Sequence, residues 1–130
     1  SASLVGSEMC IRDSYKFLYD SKKVVVSNCA LYAYFQNVKS ITHTRSKKNE
    51  HDISVAYYER VAYFRERKEW DLYAKTVNFY TGVLIARGDS DSALEVKTLL
   101  KKYRMDYHVF LRTKLRMYYF IMKTDASTKR

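Results

Sequence analysis

No proline interrupts this chain of 130 residues, and only three of its residues are glycine. Tight turns draw on those two residue types for preset or left-handed backbone. A sandwich or barrel of many short strands needs such turns every few residues, so their scarcity disfavours both and favours long helices. Hydrophobic residues make up 47% of the chain and aromatics 15%, with 13 tyrosines, which is too much apolar material for disorder. The length allows one domain at most. The longest apolar run, VNFYTGVLIA, is about half of the roughly 20 residues a membrane span requires. Two cysteines are too few for a secreted disulfide scaffold.

The first 14 residues, SASLVGSEMCIRDS, have no apolar core and no cleavage pattern, so they are not a signal peptide. Leu4–Ser14 instead match the translation of one reading frame of a common transposase-type sequencing adapter. We read 1–14 as a non-native leader, with the native segment beginning at about Tyr15. Cys10 then drops out and Cys29 stands alone, which leaves no cysteine-based metal site. The leader also takes one basic and two acidic residues from totals of 24 and 14, so the net charge rises from +10 to +11.

Beyond the leader the periodicity changes twice. Tyr15, Leu18 and Tyr19 share a face at helical spacing until Asp20-Ser21 breaks it. KKVVVSN is a β-branched run closed by a turn signal and predicts a strand at 23–27. Leu31, Ala33 and Phe35 alternate with Tyr32, Tyr34 and Gln36, which predicts a second strand at 30–36. A helix over 24–41 is the competing reading, since Val24, Leu31, Phe35 and Val38 also fit one face. The polar, basic stretch 37–51 reads as a loop, and Asp52 as an N-cap.

Four helices are predicted after it. The first, at 53–67, turns Val55, Tyr58, Val61 and Ala62 inward. The second, at 69–86, carries Leu72, Tyr73, Val77, Tyr80, Val83 and Leu84 and ends before Gly88, a good C′ residue. The third, at 91–104, has N-cap candidates in Asp89–Ser92 and turns Leu94, Leu99, Leu100 and Tyr103 inward. The fourth, at 106–122, sets Phe110, Leu111, Leu115, Tyr118 and Met122 on one side and Arg112, Arg116 and Lys123 on the other. Trp70 is expected to anchor the turn between the first two of these helices.

The stretch 15–42, YKFLYDSKKVVVSNCALYAYFQNVKSIT, resembles the C-terminal end of the catalytic domain in bacterial family 2 glycosyltransferases of the capsule, exopolysaccharide and O-antigen type. Lys23–Val26, Leu31-Tyr32-Ala33-Tyr34 and Ser40-Ile41-Thr42 match that family's strand, strand and loop end in order and spacing. The broader likeness runs over about 15–110. It implies a mainly α chain with a short β-hairpin. Residues 15–51 would be the end of a GT-A α/β catalytic domain and 52–130 a helical tail. It further implies transfer of a sugar from a nucleotide-sugar donor to a glycan or lipid-linked acceptor. The nucleotide-binding strand, the Asp-x-Asp-like motif for a divalent Mg or Mn ion and the catalytic base would lie N-terminal to Tyr15, so this piece alone would be inactive and hold no cofactor.

The donor's diphosphate leaving group is negatively charged and requires electrostatic stabilisation. Lys39, Ser40, Thr42, His43 and Arg45, on a loop that follows a strand end, offer donors for it, with Gln36 at the end of that strand beside them. Relatives frequently carry Arg where this chain has Phe35 and Asn37, so that contact is lacking here.

Other constellations are weaker. The Arg45…His51 spacing resembles a ribonuclease motif but is common by chance. His43, His51 and His108 lack metal-ligand spacing, and His108 beside Asp106 reads as a satisfied surface histidine. Basic charge with many tyrosines suggests a small helical nucleic-acid-binding module as the alternative function. Tyr58, Tyr73, Tyr80 and Tyr118 fall at core spacings, however, so nucleic acid is disfavoured as a partner. The last helix is basic and amphipathic, which suits an anionic membrane surface. The expected location is cytoplasmic and peripheral, at the inner face of a membrane.

Overall fold

The computed structural model describes residues 7–26, 28, 29 and 47–128. Among them it is helical throughout apart from connections, with five helices: α1 (Ser7–Asp20), α2 (Lys47–Glu66), α3 (Trp70–Arg87), α4 (Ser90–Tyr103) and α5 (Leu111–Thr128). The chain divides into two compact units, between Ala56 and Tyr57.

In the first unit, α1 ends at Asp20, where the sequence predicted a break. Its last turns hold a Lys16–Asp13 pair at 2.7 Å, and the Ser21 hydroxyl donates to the Phe17 carbonyl. Lys23–Val26 form neither helix nor strand, and Val24, Val25 and Val26 are exposed. The predicted strand at 23–27 is therefore not seen over the described part. The predicted strand at 30–36, the other half of the hairpin, lies outside the described residues. The mainly helical expectation is met. The expected loop over 37–51 is corrected at its end: α2 already begins at Lys47, so Asp52 sits inside the helix rather than capping it.

The second unit is a helical bundle whose core is drawn from every helix in it. Val61 and Phe64 come from α2, Tyr73, Val77, Tyr80 and Leu84 from α3, Val96, Leu99 and Tyr103 from α4, and Met117 and Phe120 from α5. Helix α3 packs on both α4 and α5, and α4 packs on α5. Tyrosines join the layers. Tyr57 stacks on Tyr80 at 4.7 Å, Tyr58 meets Tyr80 edge-on at 5.8 Å, and Tyr73 meets Tyr103 edge-on at 6.2 Å. Edge-on and offset pairs of this kind are favoured by the ring quadrupole.

The turns show why each helix stops. Gly88 takes φ 67° at the end of α3, and its N–H returns to the Leu84 carbonyl at 3.3 Å. Asp89 then caps α4, its carboxylate accepting from the Ser92 N–H at 2.7 Å. Between α2 and α3 the charged run RERKEW ends a helix without glycine. Lys68 takes φ 58° and donates to the Arg65 carbonyl, while Glu69 donates to the Phe64 carbonyl. That pair of bonds is a Schellman motif with lysine in the left-handed position.

Helix α5 overturns one expectation. Its inward residues are Thr113, Met117 and Phe120, while Leu111, Leu115, Tyr118 and Met122 are exposed. The predicted start at 106 also moves to Leu111, because 104–110 form a turn. In α4, Leu99, Leu100 and Tyr103 point inward as predicted, but Leu94 is exposed.

Candidate functional surface and groove

The six residues expected to bind substrate, Gln36, Lys39, Ser40, Thr42, His43 and Arg45, all lie outside the described residues. So does one end of the Arg45…His51 pair; His51 itself is exposed on α2 rather than on a loop. Among the described residues no group of three or more His, Cys, Asp or Glu side chains could hold a metal ion. The divalent ion that the resemblance implies therefore has no ligand set on these residues, and no step is assigned to it.

Two features of the second unit carry chemistry. The first is the outward side of α5. At about 100° per residue, Thr113, Met117 and Phe120 centre on one direction, and Leu111, Leu115, Tyr118 and Met122 centre almost opposite. The spacings of 4, 3 and 4 make the second set a continuous stripe. Arg112, Arg116, Lys123 and the ring of Tyr119 run along one flank, roughly a quarter turn away. Helix α5 therefore has two apolar faces, of which the bundle covers one. Gly82 of α3 brings α5 close: a Cβ there would lie 3.4 Å from Arg116 Nη2. Asn78 accepts from Thr113 at 2.9 Å and from Arg116 at 3.4 Å, which fixes the helix's rotation.

The second feature is a groove of about 380 Å³ between α2, α3 and the end of α4, lined by Tyr58, Arg65, Tyr73, Lys102 and Tyr103 among others. The Lys102 ammonium lies 5.3 Å from the Tyr58 ring centre and 5.2 Å from that of Tyr103. Tyr103 is 3% exposed, and its hydroxyl has no hydrogen-bond partner. Burial pushes this phenol up to about 12, with a contribution from nearby Tyr58, against the opposing charge of Arg65. The Tyr73 phenol is also pushed up, first by burial and then by its bond to Asp106.

Below the groove, the α4–α5 turn is organised on one carboxylate. Asp106 Oδ2 accepts from the Tyr73 hydroxyl at 2.6 Å, and Oδ1 accepts from the His108 backbone N–H at 3.0 Å. Lys114 donates to the Asp106 carbonyl at 2.7 Å. Burial by itself raises the Asp106 carboxyl, but the bonds from Tyr73 and His108 outweigh it and hold the group below the usual carboxylate range. His108 stacks on Trp70 at 3.8 Å with a 14° interplanar angle. Trp70 thus anchors the α4–α5 turn against the start of α3, as well as standing at the α2–α3 turn. Periodicity missed the Tyr73–Asp106 bond and the Trp70–His108 stack because their partners are 33 or more residues apart.

Against known proteins, no family model, no curated protein and no solved structure matches this chain.

Proposed function

We propose that this chain is the C-terminal part of a sugar-transferring enzyme that works at an anionic membrane surface, with α5 as the element that meets the lipid. The observation that carries the membrane part is the second apolar face of α5, flanked by Arg112, Arg116 and Lys123. Each basic residue near an anionic leaflet contributes about 1 kcal/mol. Each of Leu111, Leu115 and Met122, when buried in the acyl boundary, contributes about 1.5–3 kcal/mol at most. No described helix is long and apolar enough to cross a membrane, so the contact proposed is one of lying in the interface.

The sugar-transfer part is supported by the ordered match at Lys23–Val26, Leu31–Tyr34 and Ser40–Thr42. In this reading the residues Gln36, Lys39, Ser40, Thr42, His43 and Arg45 provide donors to a nucleotide-sugar diphosphate, and the GT-A sheet, hairpin included, completes itself with strands N-terminal to Tyr15. A lipid-linked acceptor would place the reaction beside the bilayer, which gives the α5 face its purpose. Nucleic acid is the competing partner for a basic chain, yet a stripe of Leu, Leu, Tyr and Met offers phosphates nothing.

Reading the coding sequence upstream of Tyr15 tests the enzyme part. The expected result is an in-frame nucleotide-binding strand and an Asp-x-Asp-like motif. A start codon close to Tyr15 would contradict it.

A further inference from the structure

We infer that the groove between α2, α3 and α4 is a binding site for a phosphate monoester. Three independent features converge there. Among the described residues, Arg65 and Lys102 line the groove with no carboxylate paired to either, although Glu66 lines it too. The Tyr103 hydroxyl is buried without a partner. The volume, about 380 Å³, holds a phosphate group together with an organic body the size of a sugar or nucleoside.

The donor set selects the anion. Arg65 presents a planar fork, Lys102 a compact point charge and Tyr103 a neutral hydroxyl, and a phosphate dianion accepts from all three. A buried hydroxyl without an acceptor is a standing cost to the fold, and a ligand oxygen beside it removes that cost. The neighbouring phenols are committed elsewhere: Tyr73 donates to Asp106, and Tyr58 is held by Glu95. Tyr103 is therefore the phenol left to donate to a ligand. The rings of Tyr58 and Tyr103 supply the apolar wall for the organic body, with Lys102 above both. The inference does not depend on the lipid reading, because the groove and the outward side of α5 share no residue.

Titration of the full chain, followed by the ¹H–¹⁵N spectrum, tests it with four probes: inorganic phosphate, ribose 5-phosphate, adenosine monophosphate and uncharged adenosine. Saturable shifts are expected at residues of α2 and α4 that line the groove with both esters, more weakly with inorganic phosphate, and not with adenosine. The better of the two esters identifies the organic body. Arg65→Gln and Lys102→Gln, both at exposed positions that leave the core intact, should each weaken ester binding about tenfold or more, and Tyr103→Phe by about tenfold. The inference is overturned if no phosphate gives a saturable shift, if inorganic phosphate or adenosine binds as tightly as the esters, or if Arg65→Gln binds unchanged.

Discussion

The Tyr73 hydroxyl donates to Asp106 Oδ2 at 2.6 Å, joining the first turn of α3 to the turn between α4 and α5. The same carboxylate accepts from the His108 backbone, and His108 stacks on Trp70. Removing either end leaves a buried or half-buried polar group unsatisfied. Tyr73→Phe should cost about 1–3 kcal/mol, and Asp106→Ala about as much or more because the acceptor is charged. Urea unfolding of the two single variants and the double variant checks this. Strong non-additivity is expected, since both remove one bond.

Acid stability follows from the same group. The Asp106 carboxyl is held below its ordinary value in the folded chain, because the bonds from Tyr73 and His108 outweigh burial. The unfolded chain then takes up the proton first as pH falls. The contribution is complete above the unfolded carboxylate pKa, about 3.9, and is lost as pH falls through the folded value. Asp106→Asn should flatten that part of the stability–pH curve below about pH 4 relative to the native chain.

At the alkaline end Tyr103 has the opposite sign. Its folded phenol titrates at about 12, raised chiefly by burial. Its stabilising contribution is present below the unfolded value of about 10 and is lost as pH rises through about 12. Tyr103→Phe should remove that component. It should also raise stability near neutral pH by about 1 kcal/mol, since it deletes a hydroxyl that has no partner. Chemical denaturation at pH 7 and across pH 9–12 measures both effects.

Lys68 occupies a left-handed position, φ 58°, that glycine adopts without a Cβ clash. Lys68→Gly should stabilise the chain by up to about 1 kcal/mol, less the extra freedom it gives the unfolded state. Thermal unfolding with a lowered Tm for Lys68→Gly would count against the turn described.

These outcomes also bear on how much was legible in the sequence. Gly88 and Asp89 were, because a left-handed C′ residue and an N-cap act within a few residues of themselves. The α2–α3 turn was harder, since lysine carries no left-handed signature and only the Schellman bonds reveal it. The sidedness of α5 was misjudged. Periodicity finds apolar stripes, and this helix has two; Leu111, Leu115, Tyr118 and Met122 form the more apolar one, yet Thr113, Met117 and Phe120 face the core. Thr113 is buried because Asn78 satisfies its hydroxyl, a partner 35 residues away that no local pattern encodes. The groove of Arg65, Lys102 and Tyr103 was missed for the same reason, as Arg65 comes from α2 and the other two from α4.

The rotation of α5 is open to a direct contrast. Met117→Ala should cost about 2–5 kcal/mol, whereas Leu115→Gln and Met122→Gln should stay within about 0.5 kcal/mol. Equal destabilisation by Met117→Ala and Leu115→Gln in urea unfolding would reverse the assignment of the two faces.

Co-sedimentation of the full chain with lipid vesicles tests the central claim most directly. Binding is expected to vesicles rich in phosphatidylserine at low salt, to weaken as salt screens Arg112, Arg116 and Lys123, and to be lost in Leu115→Glu while that variant remains folded. Absence of binding to anionic vesicles at low salt, or undiminished binding by Leu115→Glu, would contradict the account.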